Sequence, residues 1–206
     1  MINKELERYV EEKILPCYEG VDPAHDLSHI RTVVENSMRI ASSLDVDMDM
    51  VYCVAAYHDI GIRFGRDDHE KTSAKWLRED RNLLEFFSAE QISIMAEAVE
   101  DHRASSKASP RSVYGAIVAE ADRDLDPTRV LRRCVDFALA HHPSASNEKI
   151  IEISSSHLRD KYGPNGYLKL FLHDPRNEEG LATLRMWMQN GEAERFIVEY
   201  LREIGR

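Results

Sequence analysis

Residues 51–61, Val-Tyr-Cys-Val-Ala-Ala-Tyr-His-Asp-Ile-Gly, end an apolar run in an adjacent histidine and aspartate. Val51, Val54, Ala55 and His58 fall at i, i+3, i+4 and i+7, so the imidazole continues a buried helical stripe and leaves the solvent face. Two consecutive helical residues point about 100° apart and cannot share a target. At a helix end the backbone turns, and Gly61 permits that turn, so His58 and Asp59 can converge on one point. A carboxylate desolvated there costs several kcal/mol unless it is paired or bound to a cation, which makes a metal ion the natural candidate for that point.

Context singles out this pair, because the chain has nine histidines and three His-Asp dipeptides. His173-Asp174 precedes Pro175 in a turn, where Asp174 reads as a helix N-cap. His25-Asp26 lies one helical turn before His29, on the flank of another apolar stripe.

The elements that must position these residues read as helices throughout. Ile2, Leu6, Tyr9, Val10 and Ile14 form a first amphipathic helix stopped by Pro16. Asp22, with Pro23 at the first helical position, is expected to cap a second, whose buried face carries Leu27, Ile30, Val33, Val34, Met38, Ala41 and Leu44. Residues 62–68 read as an exposed rim above the end of the central helix. A helix follows from about Asp67 or Asp68 through His69 and Glu70 to about Asp80. Ser88 with Gln91 makes a capping-box pattern opening a helix that ends at His102. After a polar loop over 103–110, a helix from Ser109 or Pro110 turns Val113, Ala116, Ile117 and Ala121 inward, with Asp122 leaning the same way. Further helices are expected over 128–141, 147–161, 175–190 and 192–203, the last with a clear 3.6-residue stripe. No strand pattern competes, so the fold class is all-α.

Composition bounds the function. A chain of 206 residues fits one domain, 1–206, and can bury about 70% of its unfolded surface. The net charge of -10, with no block of lysine and arginine, argues against a nucleic-acid polymer as partner and favours small substrates. Cys17, Cys53 and Cys134 have no ligand spacing and suit reduced cysteines. The longest apolar run, about 51–57, is too short for a bilayer, and no apolar signal region opens the chain, so a cytoplasmic protein with no membrane partner is expected. Tyr162, Tyr167, Phe171 and Trp187 suit core or interface packing, with a homodimer allowed.

The order His29, His58-Asp59-Ile60-Gly61 and Ala121-Asp122-Arg123 resembles the HD-domain superfamily of metal-dependent phosphohydrolases. Residues 24–29, Ala-His-Asp-Leu-Ser-His, and 69–74, His-Glu-Lys-Thr-Ser-Ala, are also similar to segments of small HD proteins. The resemblance covers about 20–126 and leaves a helical extension over about 127–206. It implies a helical bundle with a divalent metal held by His29, His58, Asp59 and Asp122. One departure is Asp124, where many relatives have a leucine after the Asp-Arg pair, which makes the nearby wall more acidic. Two-metal relatives carry two extra histidines in the interval that His69 and His102 occupy. A second metal is therefore the alternative to the reading in which these two contact phosphate.

The donor chemistry agrees with the resemblance. Two imidazoles and two carboxylates suit manganese, iron, cobalt, nickel or zinc, and the two negative charges neutralise a divalent ion. Such an ion acidifies water and polarises a phosphoryl oxygen, so hydrolysis of a small phosphorylated molecule, a nucleotide above all, is the expected activity. By position, Arg63, Arg66, Arg103 and Lys107 are candidate phosphate contacts alongside His69 and His102. Glu70 is the candidate general base or water-orienting carboxylate, with Asp59 catalytic through the metal. The rival readings are a non-catalytic metal- and nucleotide-binding regulatory module, and a di-iron oxygenase that would need both His69 and His102 as ligands.

Overall fold

A computed structural model describes residues 2–21, 25–103 and 108–206, and among these it is helical with no strand. The chain divides into two compact units, Met1–Asp122 and Arg123–Arg206.

In the first unit, α1 (Lys4–Tyr9) is capped by the Asn3 side chain, which accepts from the backbone N–H of Glu5 and Leu6. The expected helix continues past α1 as a wider π turn, Val10–Ile14, and a 3₁₀ turn, Leu15–Tyr18, where Pro16 has no N–H to sustain an α-helical ladder. The second helix, α2 (Leu27–Ala41), begins later than expected. Its cap is Asp26, whose carboxylate accepts from the N–H of His29 at 3.0 Å, whereas Asp22 and Pro23 lie outside the described residues. The next helix, α3 (Met48–Tyr57), is buried at every position from Met50 onward. It packs against α2, α4 (His69–Glu79), α5 (Ala89–Asp101) and α6 (Val113–Asp122), which is why its sequence is apolar on all sides.

The capping box at Ser88 and Gln91 opens α5 with both reciprocal bonds in place. The opening of α6 corrects the expectation of a start at Ser109 or Pro110. The N–H of Arg111 donates to Asp101 Oδ2 at 2.7 Å and its guanidinium pairs with Asp101 and Glu100, which ties this segment to the end of α5. The helix therefore starts at Val113, with Ser112 accepting from Gly115 and Ala116, and Val113 faces outward at 39% exposure.

Gly61 sits in the 3₁₀ turn Ile60–Phe64, which lies directly on α4. A Cβ there would meet His69 O at 2.5 Å, Ser73 N at 2.8 Å and Ser73 Oγ at 2.9 Å, two of them backbone atoms. The Gly61 N–H donates to Ser73 Oγ at 2.8 Å. Gly61→Ala must push the turn off α4, and a loss of about 2–4 kcal/mol in unfolding free energy is expected. Chemical denaturation of the variant checks this, and a change under about 0.5 kcal/mol, the range of a surface substitution, would contradict the packing.

The second unit contains α7 (Pro127–His141), α8 (Asn147–Tyr162), α9 (Pro175–Asn190) and α10 (Glu192–Glu203). Asp126, Ser146 and Asp174 cap the first three. Val130, Leu131, Val135, Ile150, Leu158, Leu184, Ile197 and Leu201 form the buried core, against which Trp187 is partly buried, while Tyr167 is largely exposed. Among the described residues no helix is long and apolar enough to cross a membrane.

Candidate metal centre

Five helix ends meet in the first unit. His29 is the third residue of α2 and His69 the first of α4, whereas His58 and His102 are the C-terminal caps of α3 and α5, and Asp122 is the last residue of α6. Asp59 follows His58 at the turn that Gly61 continues. Helix ends carry backbone groups without intrahelical partners, and here side chains satisfy several of them. His58 Nδ1 lies 2.8 Å from Ala55 O, His102 Nδ1 2.6 Å from Val99 O, and His69 Nδ1 3.0 Å from Arg66 O. The buried hydroxyl of Tyr18 donates to Ala56 O at 2.8 Å and closes the end of α3. Nothing in the sequence singles out Tyr18, which reads there only as an aromatic near Pro16.

These bonds fix the tautomers. A carbonyl oxygen can only accept, so Nδ1 of His58, His69 and His102 carries a proton, and Nε2 is the nitrogen each ring would offer to a metal. All three Nε2 atoms face Asp59. His58 Nε2 is 3.2 Å and His29 Nε2 3.6 Å from Asp59 Oδ2, while His69 Nε2 and His102 Nε2 are each 3.3 Å from Oδ1. Asp122 Oδ1 completes the first side, 3.2 Å from His29 Nε2 and 3.9 Å from His58 Nε2. The Nε2 atoms of His69 and His102 are 3.3 Å apart. Three acceptors facing one another repel unless a cation lies among them. The Nε2 atoms of His29 and His58 and Asp59 Oδ1 are buried without a hydrogen-bond partner, which fits them as metal-ligand atoms. Ligands about 2.1 Å from a common tetrahedral ion lie roughly 3.4 Å from one another, so the spacing fits a metal on either side of Asp59. Two donor groups result: His29, His58 and Asp59, and Asp59, His69 and His102.

The electrostatics show what protons do where a metal belongs. Burial lowers the pKa of His29, but the carboxylates of Asp122 and Asp59, 3.2 and 3.6 Å from its Nε2, overcome it and raise the group to about 10. Burial likewise opposes the charged form of His102, and Asp59 again raises it. Asp59 is held well below the usual carboxylate range, its burial outweighed by His58, His102 and His29, and Asp122 is lowered in the same way by His29 and His58. The carboxylates are ionised and draw positive charge.

Glu70 Oε2 accepts from Arg103 Nη1 at 3.1 Å and lies 3.6 Å from His69 Nδ1, the ring nitrogen opposite the one that faces Asp59. It therefore holds Arg103, while the Nδ1–H of His69 is taken by Arg66 O. Arg63 lies over the rings of Phe64 and Trp76, at 5.6 and 5.8 Å from their centroids. Arg66 is exposed and contributes its backbone carbonyl to His69. His25 stacks edge-on against His29 at 6.0 Å. Lys107 lies outside the described residues.

Residues 26–125 match the family model of the HD domain, an interval that holds every ligand candidate from His29 to Asp122. This segment is an HD domain. The chain is also similar in fold to a crystal structure described as a predicted HD superfamily hydrolase from an uncultured Thermotogales bacterium. The two share 24% identity and a TM-score of 0.50 over 74% of this chain and 83% of that one. No curated protein gives a significant match.

Proposed function

We propose that this HD domain hydrolyses phosphate esters of small molecules, nucleotides above all, with two divalent metals for which Asp59 would be a shared ligand. The observation that carries the reading is the placement of two imidazole Nε2 atoms on each oxygen of that one carboxylate. His29, His58, Asp59 and Asp122 would hold one ion, and Asp59, His69 and His102 the other. His69 and His102 thereby pass from phosphate contacts to ligands, because their Nε2 atoms face Asp59. Divalent ions held there supply Lewis acidity toward a phosphoryl oxygen and bring the pKa of water toward neutrality. The chain supplies the rest. The carbonyls of Ala55, Val99 and Arg66 keep the imidazoles oriented, and Arg103, partly exposed and next in sequence to His102, would bring a cation to the non-bridging phosphate oxygens.

Elemental analysis after loading with manganese or iron is expected to give about two ions per chain, and His102→Ala about one. A count of one in both proteins would return His102 to the phosphate. Phosphate release from nucleoside monophosphates and simple esters tests catalysis, and measurable binding with no turnover for any of them favours the regulatory-module reading. The di-iron oxygenase reading needs the same histidines, which the geometry supplies. Hydrolysis requires no oxygen, so activity that disappears under anaerobic conditions would select the oxygenase.

Glu70→Gln separates two roles. A carboxylate that positions Arg103 beside the centre is worth about 10–100-fold in activity, whereas a group that itself moves the proton is worth about 10²–10⁴-fold in rate. The hydrogen bond of Glu70 to Arg103 predicts the smaller loss. A loss beyond a thousandfold with full metal content would make it the base.

A further inference from the structure

Phe64 is 61% exposed, more than any other large apolar side chain among the described residues. A lone exposed phenylalanine needs no explanation. Phe64, however, is part of an assembly. Its ring centroid is 5.6 Å from that of Trp76 at an interplanar angle of 47°, and the Arg63 guanidinium lies over both rings. In a chain of net charge -10, Arg63 pairs with no carboxylate among the described residues, so its planar cation stays available beside two aromatic faces. Such a set stacks a heteroaromatic ring well, because ring faces attract both the aromatic and the guanidinium plane.

Its position is set by the same contacts that build the metal centre. Trp76 lies seven residues after His69 on α4, so it shares a face with His69 and Ser73 and stands roughly 10 Å further along the axis. Phe64 lies five residues after Asp59 along a 3₁₀ path, again roughly 10 Å away. Gly61 against Ser73 locks the two paths together. Both path lengths match the reach from a phosphate to the base across a pentose.

We propose that Phe64, Trp76 and Arg63 form the base-stacking end of the substrate site, taking the heteroaromatic ring of a nucleotide whose phosphate lies at the metal centre. This rests on the phosphohydrolase reading. The chain has two tryptophans, so Trp187→Phe leaves Trp76 as the sole reporter. In that background each of the four ribonucleoside monophosphates is titrated against the metal-loaded protein, with ribose 5-phosphate as the probe lacking a base. The expected result is quenching of Trp76 emission by at least one nucleotide and none by ribose 5-phosphate. Phe64→Ala is expected to weaken that nucleotide about tenfold and Phe64→Tyr to restore it. Calorimetric titration of the protein with both tryptophans intact repeats the Phe64→Ala comparison. Nucleotide binding without quenching, no binding by any of the four, or equal affinity in Phe64→Ala overturns the proposal. Phosphate release is scored separately: none from any ester, with quenching intact, overturns the hydrolase reading and leaves the stacking site standing.

Discussion

Asp59→Ala is expected to bind almost no metal and to lose turnover on every phosphate ester by roughly a thousandfold or more. The magnitude follows from the several kcal/mol that a metal contributes to phosphoryl transfer, at about 1.4 kcal/mol per factor of ten. The breadth follows from geometry. Each other ligand candidate serves one side of the centre, whereas Asp59 presents Oδ2 to His29 and His58 and Oδ1 to His69 and His102. A variant that loses both ions together, and not one, is the signature of a shared ligand. Circular dichroism of the variant should remain that of a helical protein, because the buried stripe of α3 does not depend on Asp59. If Asp59→Ala retained one full equivalent of metal, the sharing would be wrong and His29, His58 and Asp122 would suffice for the first site.

The central device of the site is legible in the amino-acid sequence for a physical reason. His58 lies in phase with Val51, Val54 and Ala55, and a histidine on a buried stripe beside an aspartate and a turn-forming glycine has few uses other than a ligand. Its burial is complete, and Asp59 is only 3% exposed. The capping signals at Ser88 and Asp174 are equally local and place α5 and α9 closely, as the apolar stripe over 192–203 places α10. What local pattern does not supply is the meeting of distant helix ends. His69 and His102 are 33 residues apart and belong to α4 and α5, so nothing in their own neighbourhoods shows that both Nε2 atoms reach Asp59. The start of α6 escapes local pattern for a similar reason. Arg111 is drawn to Asp101 and Glu100 by charge, and that long-range tie overrides the helix-opening preference of Pro110. Arg63 reads in sequence as one more loop cation, and only the fold of the 3₁₀ turn on α4 sets it over Phe64 and Trp76.

The pH dependence of the metal-free protein gives the largest expected effect on stability. His29 titrates at about 10 in the folded chain against an ordinary value of 6.5, held up against its burial by Asp122 and Asp59. A raised folded value means that the stabilisation is fully present below about pH 6.5 and is lost as pH climbs toward 10, and His102 is shifted in the same direction. Asp59 and Asp122 have lowered values, so their stabilisation is present above about pH 4 and is lost on acidification. The metal-free protein should therefore be most stable between about pH 4 and 6.5. At about 1.4 kcal/mol per unit, the alkaline loss amounts to several kcal/mol by pH 9.5. Groups shifted upward by burial begin to matter only above their ordinary values, near 10 for tyrosines such as Tyr18 and near 8.5 for the thiols of Cys53 and Cys134, so the decline between about pH 6.5 and 8 isolates the histidines. A divalent ion replaces the protons among the same atoms, so its stabilising effect should be small near pH 5.5 and grow steadily to pH 9.5. Calorimetric Tm values with chelator and with saturating zinc, taken at four pH values across this range, measure both trends. His29→Gln should flatten the alkaline decline of the chelated protein. A chelated wild type whose Tm holds level from pH 6.5 to 9.5 would show that protons do not occupy the centre, and that Asp59 and Asp122 do not draw the charge their burial and spacing require.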